Sequence, residues 1–186
     1  MYVYGAVIGF TWLAFLISWA IFAMTLGGAA RRTYSPAASG ARLLILVVLF
    51  VALRYSGRLP PVRVFGDLAP VAAAAGVALC IAGFAFAVWA RMALGTNWGM
   101  PMTLHENPEL VTSGPYRYVR HPIYTGLSAM LIGTALVYPL GALPCALMIA
   151  YSVFSARREE RDMEKRFPDV YPAYRQRSKM IVPFVL

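Results

Sequence analysis

Long uncharged stretches alternate with short basic ones along this chain. Residues 2–26 carry no charge and run into Gly27-Gly28 and then Arg31-Arg32. A bilayer core needs about 20 predominantly apolar residues per helix, so this stretch predicts a first membrane span. No positive segment precedes it, and it is longer than the apolar part of a cleavable leader, so it reads as a span rather than a signal peptide. Residues 43–53 form a second, shorter run that crosses if tilted, with Arg42 and Arg54 reaching toward the interfaces. Residues 68–90 are a third run of full length. Residues 123–137 are a fourth; Pro139, Gly141 and Pro144 then make a turn, and residues 143–154 return as a fifth, which predicts a helical hairpin. The expected fold is an all-α integral membrane protein of about five transmembrane helices, forming a single membrane domain over residues 1–186.

Residues 91–121 turn polar and contain Gly95, Gly99, Pro101, Pro108, Gly114 and Pro115, so they read as a loop. Trp98, Tyr116 and Tyr118 give that loop aromatic surface to pack, which predicts that it is ordered; His105 reads as a solvated loop residue. Residues 155–186 form a charged tail, and the alanines at 72–75 suit close helix packing.

Composition sharpens the picture. The chain is 13% charged and 60% hydrophobic, with mean hydropathy +0.62. Soluble domains carry about 25% charged and about 45–50% apolar residues, so an ordinary soluble globule is excluded, and so is a disordered chain. Seventeen Lys and Arg against eight Asp and Glu give a net charge of +9. No basic stripe stands clear of a membrane segment, so the bilayer rather than a nucleic acid is the expected partner. With the N-terminus outside and five spans, Arg54, Arg58 and Arg63 fall outside, while the other fourteen of the 17 Lys and Arg are cytoplasmic. A four-span arrangement with residues 43–53 on the surface moves Arg31 and Arg32 outside and fits this rule less well. Cys80 and Cys145 lie in apolar runs with no Cys or His at ligand spacing, so they read as buried hydrophobes, and neither a disulfide nor a metal is expected.

Two segments could carry chemistry. The first is Leu110-Val-Thr-Ser-Gly-Pro-Tyr-Arg-Tyr-Val-Arg-His-Pro-Ile-Tyr-Thr-Gly126. Thr112, Ser113 and Gly114 are turn formers, and His121-Pro122 sets a helix start, because proline suits the first helical position. Such a start has free N–H donors and a positive dipole end that can hold an anion. Tyr116, Tyr118 and Tyr124 surround it. The plainer alternative is an interfacial belt in which Arg117, Arg120 and the tyrosines anchor a helix at the headgroups. The second segment runs from 157 to 174. Met163, Phe167, Tyr171 and Tyr174 form a stripe at helical spacing that faces the bilayer or the loop, and Pro168 and Pro172 end the helix near Phe167. Glu159 and Glu160 follow the fifth run amid arginines. The plainer alternative here is a surface amphipathic helix with internal ion pairs, such as Glu160 with Arg157.

Together the two segments resemble the isoprenylcysteine carboxyl methyltransferase family and the related phospholipid methyltransferases, over residues 94–183. The first matches the form L-V-T-S-G-x-Y-x-x-x-R-H-P-x-Y-x-G; the second is similar to E-E-x-x-[LM]-x-x-x-F-G-x-x-Y-x-x-Y; Leu94-Gly95 and Asn97-Trp98 fit the stretch upstream. Phe167-Pro168 departs from the family's F-G, and Ser155 stands where human-type members have an arginine. The resemblance implies a methyltransferase using S-adenosyl-L-methionine, held in a cytoplasm-facing pocket between loop and tail. Glu109, Leu110 and Val111 would contact that cofactor, partly through backbone. Tyr116, His121, Pro122, Ile123 and Tyr124 would line it, and Glu159 would reach it from the tail. Arg157 or Arg158 would take the missing arginine's place toward the substrate. The implied acceptor is lipophilic or small, with a prenylcysteine-type carboxylate first; a phospholipid amine or a small thiol would react by the same displacement. Because the cofactor brings the electrophile, the lack of a Ser/His/Asp or Cys/His set is no objection. The alternatives are a membrane-embedded NADPH-dependent reductase, since some sterol reductases carry a related Arg-His-Pro motif, and a non-catalytic membrane protein. Protection by S-adenosylhomocysteine, by NADPH or by neither separates the three.

Overall fold

The apolar runs become helices because apolar side chains gain by leaving water, and a backbone in lipid must satisfy its own hydrogen bonds. A computed structural model describes residues 2–25, 65–95 and 110–182. Its elements are α1 (Tyr2–Thr25), α2 (Ala69–Leu94), α3 (Pro122–Val137), α4 (Ala142–Arg166) and α5 (Tyr171–Arg177). Short 3-10 turns at Gly66–Leu68 and Pro139–Gly141 lead into α2 and α4. Among the described residues, three helices, α1, α2 and α4, are long and apolar enough to cross a membrane. At 16 residues α3 is apolar but shorter, about 24 Å against a bilayer core of about 30 Å. Among the described residues every named element is helical, and the chain is an integral membrane protein. The first, third, fourth and fifth predicted runs are all helical, and the last two form the predicted hairpin through Pro139–Gly141. Residues 43–53 lie outside the described residues.

The core is the antiparallel contact of α2 with α3. Gly76 faces Gly133, and two turns on Gly83 faces Gly126. A methyl carbon added to Gly76 would sit 2.6 Å from the Gly133 carbonyl oxygen, and one on Gly83 would sit 2.6 Å from that of Gly126. The two backbones therefore touch at two points, the arrangement small residues permit between membrane helices. Cys80 and Met130 fill the space between these points, Ala87 packs one turn beyond against Gly126, and all three are fully buried. α1 is tied on by Trp12, whose Nε1 donates to Thr134 Oγ1 at 3.0 Å; Thr134 in turn donates to the Met130 carbonyl at 2.8 Å. Phe10, Leu13 and Ile17 of α1 and Leu143, Leu147 and Phe154 of α4 are exposed, as side chains facing lipid must be. Both cysteine thiols are buried and free.

In one place the structure departs from the sequence reading. α2 continues past Ala90 to Leu94, and Arg91, predicted to open a polar loop, is fully buried at its end. Its Nη1 donates to the Gly95 carbonyl at 2.7 Å, and its guanidinium lies 5.2 Å from the centre of the Phe22 ring. A cation in the last helical turn meets the negative end of the helix dipole, so the first charge after an apolar run extends the helix instead of ending it. Gly95, with φ +54°, takes the left-handed turn that does end it.

Candidate functional site

His121-Pro122 starts α3 as predicted: Pro122 occupies the first helical position and His121 caps it. The approach to this start is pinned by the tail. Val119 pairs with Lys179 in an isolated parallel bridge. Around it, Arg120 N donates to Lys179 O at 2.8 Å, His121 N to Met180 O at 3.0 Å and Lys179 N to Tyr118 O at 3.2 Å. The Tyr174 hydroxyl donates to Tyr116 O at 2.7 Å. Burial chiefly pushes that phenol up to about 12, so it stays protonated and donates. Residues 171–181 thus form a strap that holds the loop before α3 in one shape.

The charged end of α4 supplies the opposite wall. Successive helix residues point about 100° apart, so Glu159 and Glu160 face different neighbours. Glu160 Oε1 accepts from Arg120 Nε at 2.6 Å and lies 3.6 Å from His121 Nε2. Glu159 Oε1 accepts from the Tyr124 hydroxyl at 2.7 Å, and its Oε2 lies 3.4 Å from His121 Nδ1. The imidazole is therefore held between two carboxylates. Burial alone would push its pKa down; the facing carboxylates outweigh that and hold it above the ordinary 6.5. Arg120 reaches further, its Nη1 donating to the carbonyls of Arg175, at 3.1 Å, and Ser178.

Exposure separates the two acids. The side chains of His121, Arg120 and Glu160 are 9%, 9% and 8% exposed, whereas Glu159 is 25% exposed. Glu160 is enclosed by its partners. Glu159 has spent one bond on Tyr124 and one ionic contact on His121, and an ionised carboxylate can accept about four hydrogen bonds. It is the acid of the cluster with capacity to hold something else.

Of the residues singled out in the sequence, His121, Tyr124 and Glu159 come together directly, and Tyr116 lies buried near enough for the Glu159 charge to help raise its phenol pKa. Pro122 is buried at the helix start with Ile123 half-buried beside it; Leu110 and Val111 are half-buried where the described stretch begins. Glu109, His105, Asn97 and Trp98 lie outside the described residues. Arg157 and Arg158 are exposed on α4. Arg157, two residues before Glu159, stands on the other side of the helix. There it lines an open cleft of about 630 Å³ with Arg120, Arg161 and Arg175. The Met163–Tyr174 stripe breaks at Phe167, as the prolines predict; both of its tyrosines are buried, and Tyr174 bonds the loop at Tyr116. Sequence reasoning missed the role of Arg120, which it offered only as a headgroup anchor in the plainer alternative, and the strap at 171–181. It also offered Glu160 an ion pair with Arg157, whereas the partner is Arg120, 40 residues away. The usable signal was the Arg-His pair itself, two adjacent cationic side chains matching two adjacent acids.

The phospholipid methyltransferase family model matches residues 71–170, from the start of α2 to just beyond α4. Protein-S-isoprenylcysteine O-methyltransferase B of Arabidopsis thaliana is 34% identical over 84 residues, 43% of this chain and 42% of that protein. Methanethiol S-methyltransferase 1 of Bradyrhizobium diazoefficiens is 32% identical over 77 residues, 41% of this chain and 27% of that protein. The matched stretches thus span less than half of either relative. Among solved structures, the eukaryotic intramembrane Ras methyltransferase, isoprenylcysteine carboxyl methyltransferase, superposes with a TM-score of 0.53 at 25% identity. That match covers 83% of this chain and 55% of that one.

Proposed function

The chain belongs to the phospholipid methyltransferase family, and on that premise we propose that it is a membrane-embedded enzyme that transfers a methyl group from S-adenosyl-L-methionine to a lipophilic or small acceptor. The observation that carries this reading is the His121–Glu159–Glu160 cluster, which joins the start of α3 to the charged end of α4. The donor set suits the cofactor. Glu159 offers an unspent carboxylate to an amino group or ribose hydroxyls, and the buried His121 Nε2 makes a 3.6 Å ionic contact with Glu160 and no hydrogen bond within normal distance among the described residues. Faces of Tyr116 and Tyr124 suit a sulfonium, by cation–π attraction of roughly 0.5–2 kcal/mol. When bound, the cofactor supplies an electrophilic methyl group for in-line displacement.

The protein's own task is positioning and exclusion of water. Tyr124 fixes the Glu159 carboxylate, His121 holds it from the other oxygen, and the strap at 171–181 keeps the loop closed on both. Glu109, Leu110, Val111, Pro122 and Ile123 complete the proposed lining. With the positive-inside orientation this pocket opens to the cytoplasm and the acceptor enters sideways from the bilayer. The proposed acceptor is a prenylcysteine-type carboxylate, supported by the Arabidopsis relative, with a small thiol second, as the Bradyrhizobium relative's name suggests. Neither nucleophile needs a general base when it reacts as its anion.

The test is binding of S-adenosylhomocysteine to purified full-length protein. A hydrogen bond to a charged group is worth about 1.5–3 kcal/mol, so Glu159→Ala should weaken binding roughly ten- to hundredfold, and His121→Ala similarly, with the ligand-free melting temperature less affected. Unchanged affinity in both variants, or protection by NADPH instead, overturns the proposal. Labelled cofactor supplied with membrane extract then identifies the acceptor.

A further inference from the structure

The cleft beside Arg157 borders the described cluster on its Glu160 and Arg120 side, while Glu159 lies on the other side of α4. At about 100° per residue, Leu143, Leu147, Phe154, Arg157 and Arg161 fall on one side of α4, and Glu159 falls on the opposite side. Leu143, Leu147 and Phe154 are 69%, 63% and 59% exposed. The stripe that meets acyl chains therefore runs directly into two arginines one helical turn apart. These line the open cleft of about 630 Å³, with Phe154 and Met180 as its apolar edge. Its two carboxylates are already neutralised, Glu160 by Arg120 and Glu164 by Arg175. Arg157 and Arg161 have no ion-pair partner among the described residues. The cleft thus holds two uncompensated positive charges at the end of a lipid-facing stripe.

We propose that this cleft binds the headgroup of an anionic membrane phospholipid, its phosphate between Arg157 and Arg161 and its acyl chains along Phe154, Leu147 and Leu143. The volume lies within the range of about 300–1,000 Å³ in which proteins hold small ligands. A soluble phosphate would use the arginines but not the stripe; a zwitterionic lipid would use the stripe but would bring its own cation to the arginines. Glu159 faces the opposite side of α4, so the lipid held between Arg157 and Arg161 is distinct from the ligand proposed at Glu159, although the cleft borders Glu160 of the same cluster. This assigns Arg157 to lipid rather than to the substrate-facing role suggested by the sequence. Its consequence for the enzyme is that the lipid pins the same helix end that carries Glu159 and Glu160.

The experiment is native mass spectrometry of the full chain carrying either phosphatidylglycerol or phosphatidylcholine. The wild type should retain phosphatidylglycerol preferentially. Each arginine near an anionic surface contributes about fivefold, so Arg157→Gln/Arg161→Gln should lose roughly 30-fold in retention. Arg117→Gln/Arg166→Gln removes the same charge away from the cleft and should retain the lipid, and inorganic phosphate should not displace it. Equal retention by wild type and the cleft variant overturns the proposal, as does equal loss in both double variants, or displacement by phosphate alone. The readout is independent of methyl transfer, so its failure leaves the proposed function standing, and the reverse holds too.

Discussion

The Arg120–Glu160 pair is the strongest mechanical claim of the structure, and it can be tested by a double-mutant cycle. The pair is 2.6 Å apart, and its side chains are 9% and 8% exposed. Glu160→Leu leaves a buried guanidinium facing only the carbonyls of Arg175 and Ser178, and leaves His121 with one carboxylate instead of two. Breaking a buried pair by removing one partner costs about 3–5 kcal/mol; the two remaining carbonyls place this case near 3 kcal/mol. Arg120→Met strands Glu160 with His121 and also releases the strap, so its cost should be at least as large. Replacing both partners with apolar residues strands no arginine and no carboxylate, and such replacements are often close to neutral. The double variant should therefore cost at least about 2 kcal/mol less than the sum of the single ones. The assay is reversible unfolding in mixed detergent, with tryptic cleavage after the exposed Arg177 and Lys179 as a local probe of the strap. Costs that add to within about 0.5 kcal/mol would refute the reasoning, since residues that add so closely do not interact.

Two further outcomes follow from the same geometry. His121 has a folded pKa above 6.5, so its contribution to stability is fully present below pH 6.5 and drains away as pH rises through the folded value. The wild-type melting temperature should accordingly fall over that window more than that of His121→Asn, and parallel profiles would count against the two-carboxylate clamp. In the helix core, Gly133→Ala forces a methyl against the Gly76 backbone and should cost about 1–3 kcal/mol. Gly9→Ala meets open space and should be neutral or stabilising by up to about 1 kcal/mol. Equal melting temperatures for these two variants would contradict the backbone contact.

Much of this was legible in the chain because its signals are local. Helix starts and stops came from proline chemistry, which acts on adjacent residues: Pro122 opens α3, Pro139 makes the hairpin turn and Pro168 follows the end of α4. Apolar length revealed the spans for the same reason. Arg91 was misplaced because a charge looks like an end when read in one dimension; its phenylalanine neighbour in α1 is far away in sequence. The partner of Glu160 could not be read for the same reason, since Arg157 lies three residues off and Arg120 lies 40. The pairing of glycines two turns apart on α2 and α3 was present in the sequence too, but register between helices is a property of two segments, which one-dimensional periodicity does not contain.

The adjacency of Glu159 and Glu160 lets one helix end both hold the fold and carry the ligand-binding role proposed for Glu159. Two carboxylates at consecutive positions cannot share a face, so α4 presents one to Arg120 and one to Tyr124 while both reach His121. The first is locked and enclosed; the second is oriented by the same imidazole yet keeps acceptor capacity. A single glutamate would have to choose between anchoring the strap and meeting a ligand. With two, the anchor sets the imidazole, and the imidazole sets the exposed acid, so any change that loosens residues 171–181 should reach Glu159 through His121 without touching it. That coupling runs through contacts of 2.6, 3.6 and 3.4 Å in series, and it makes the short tail part of the site rather than an appendage to it.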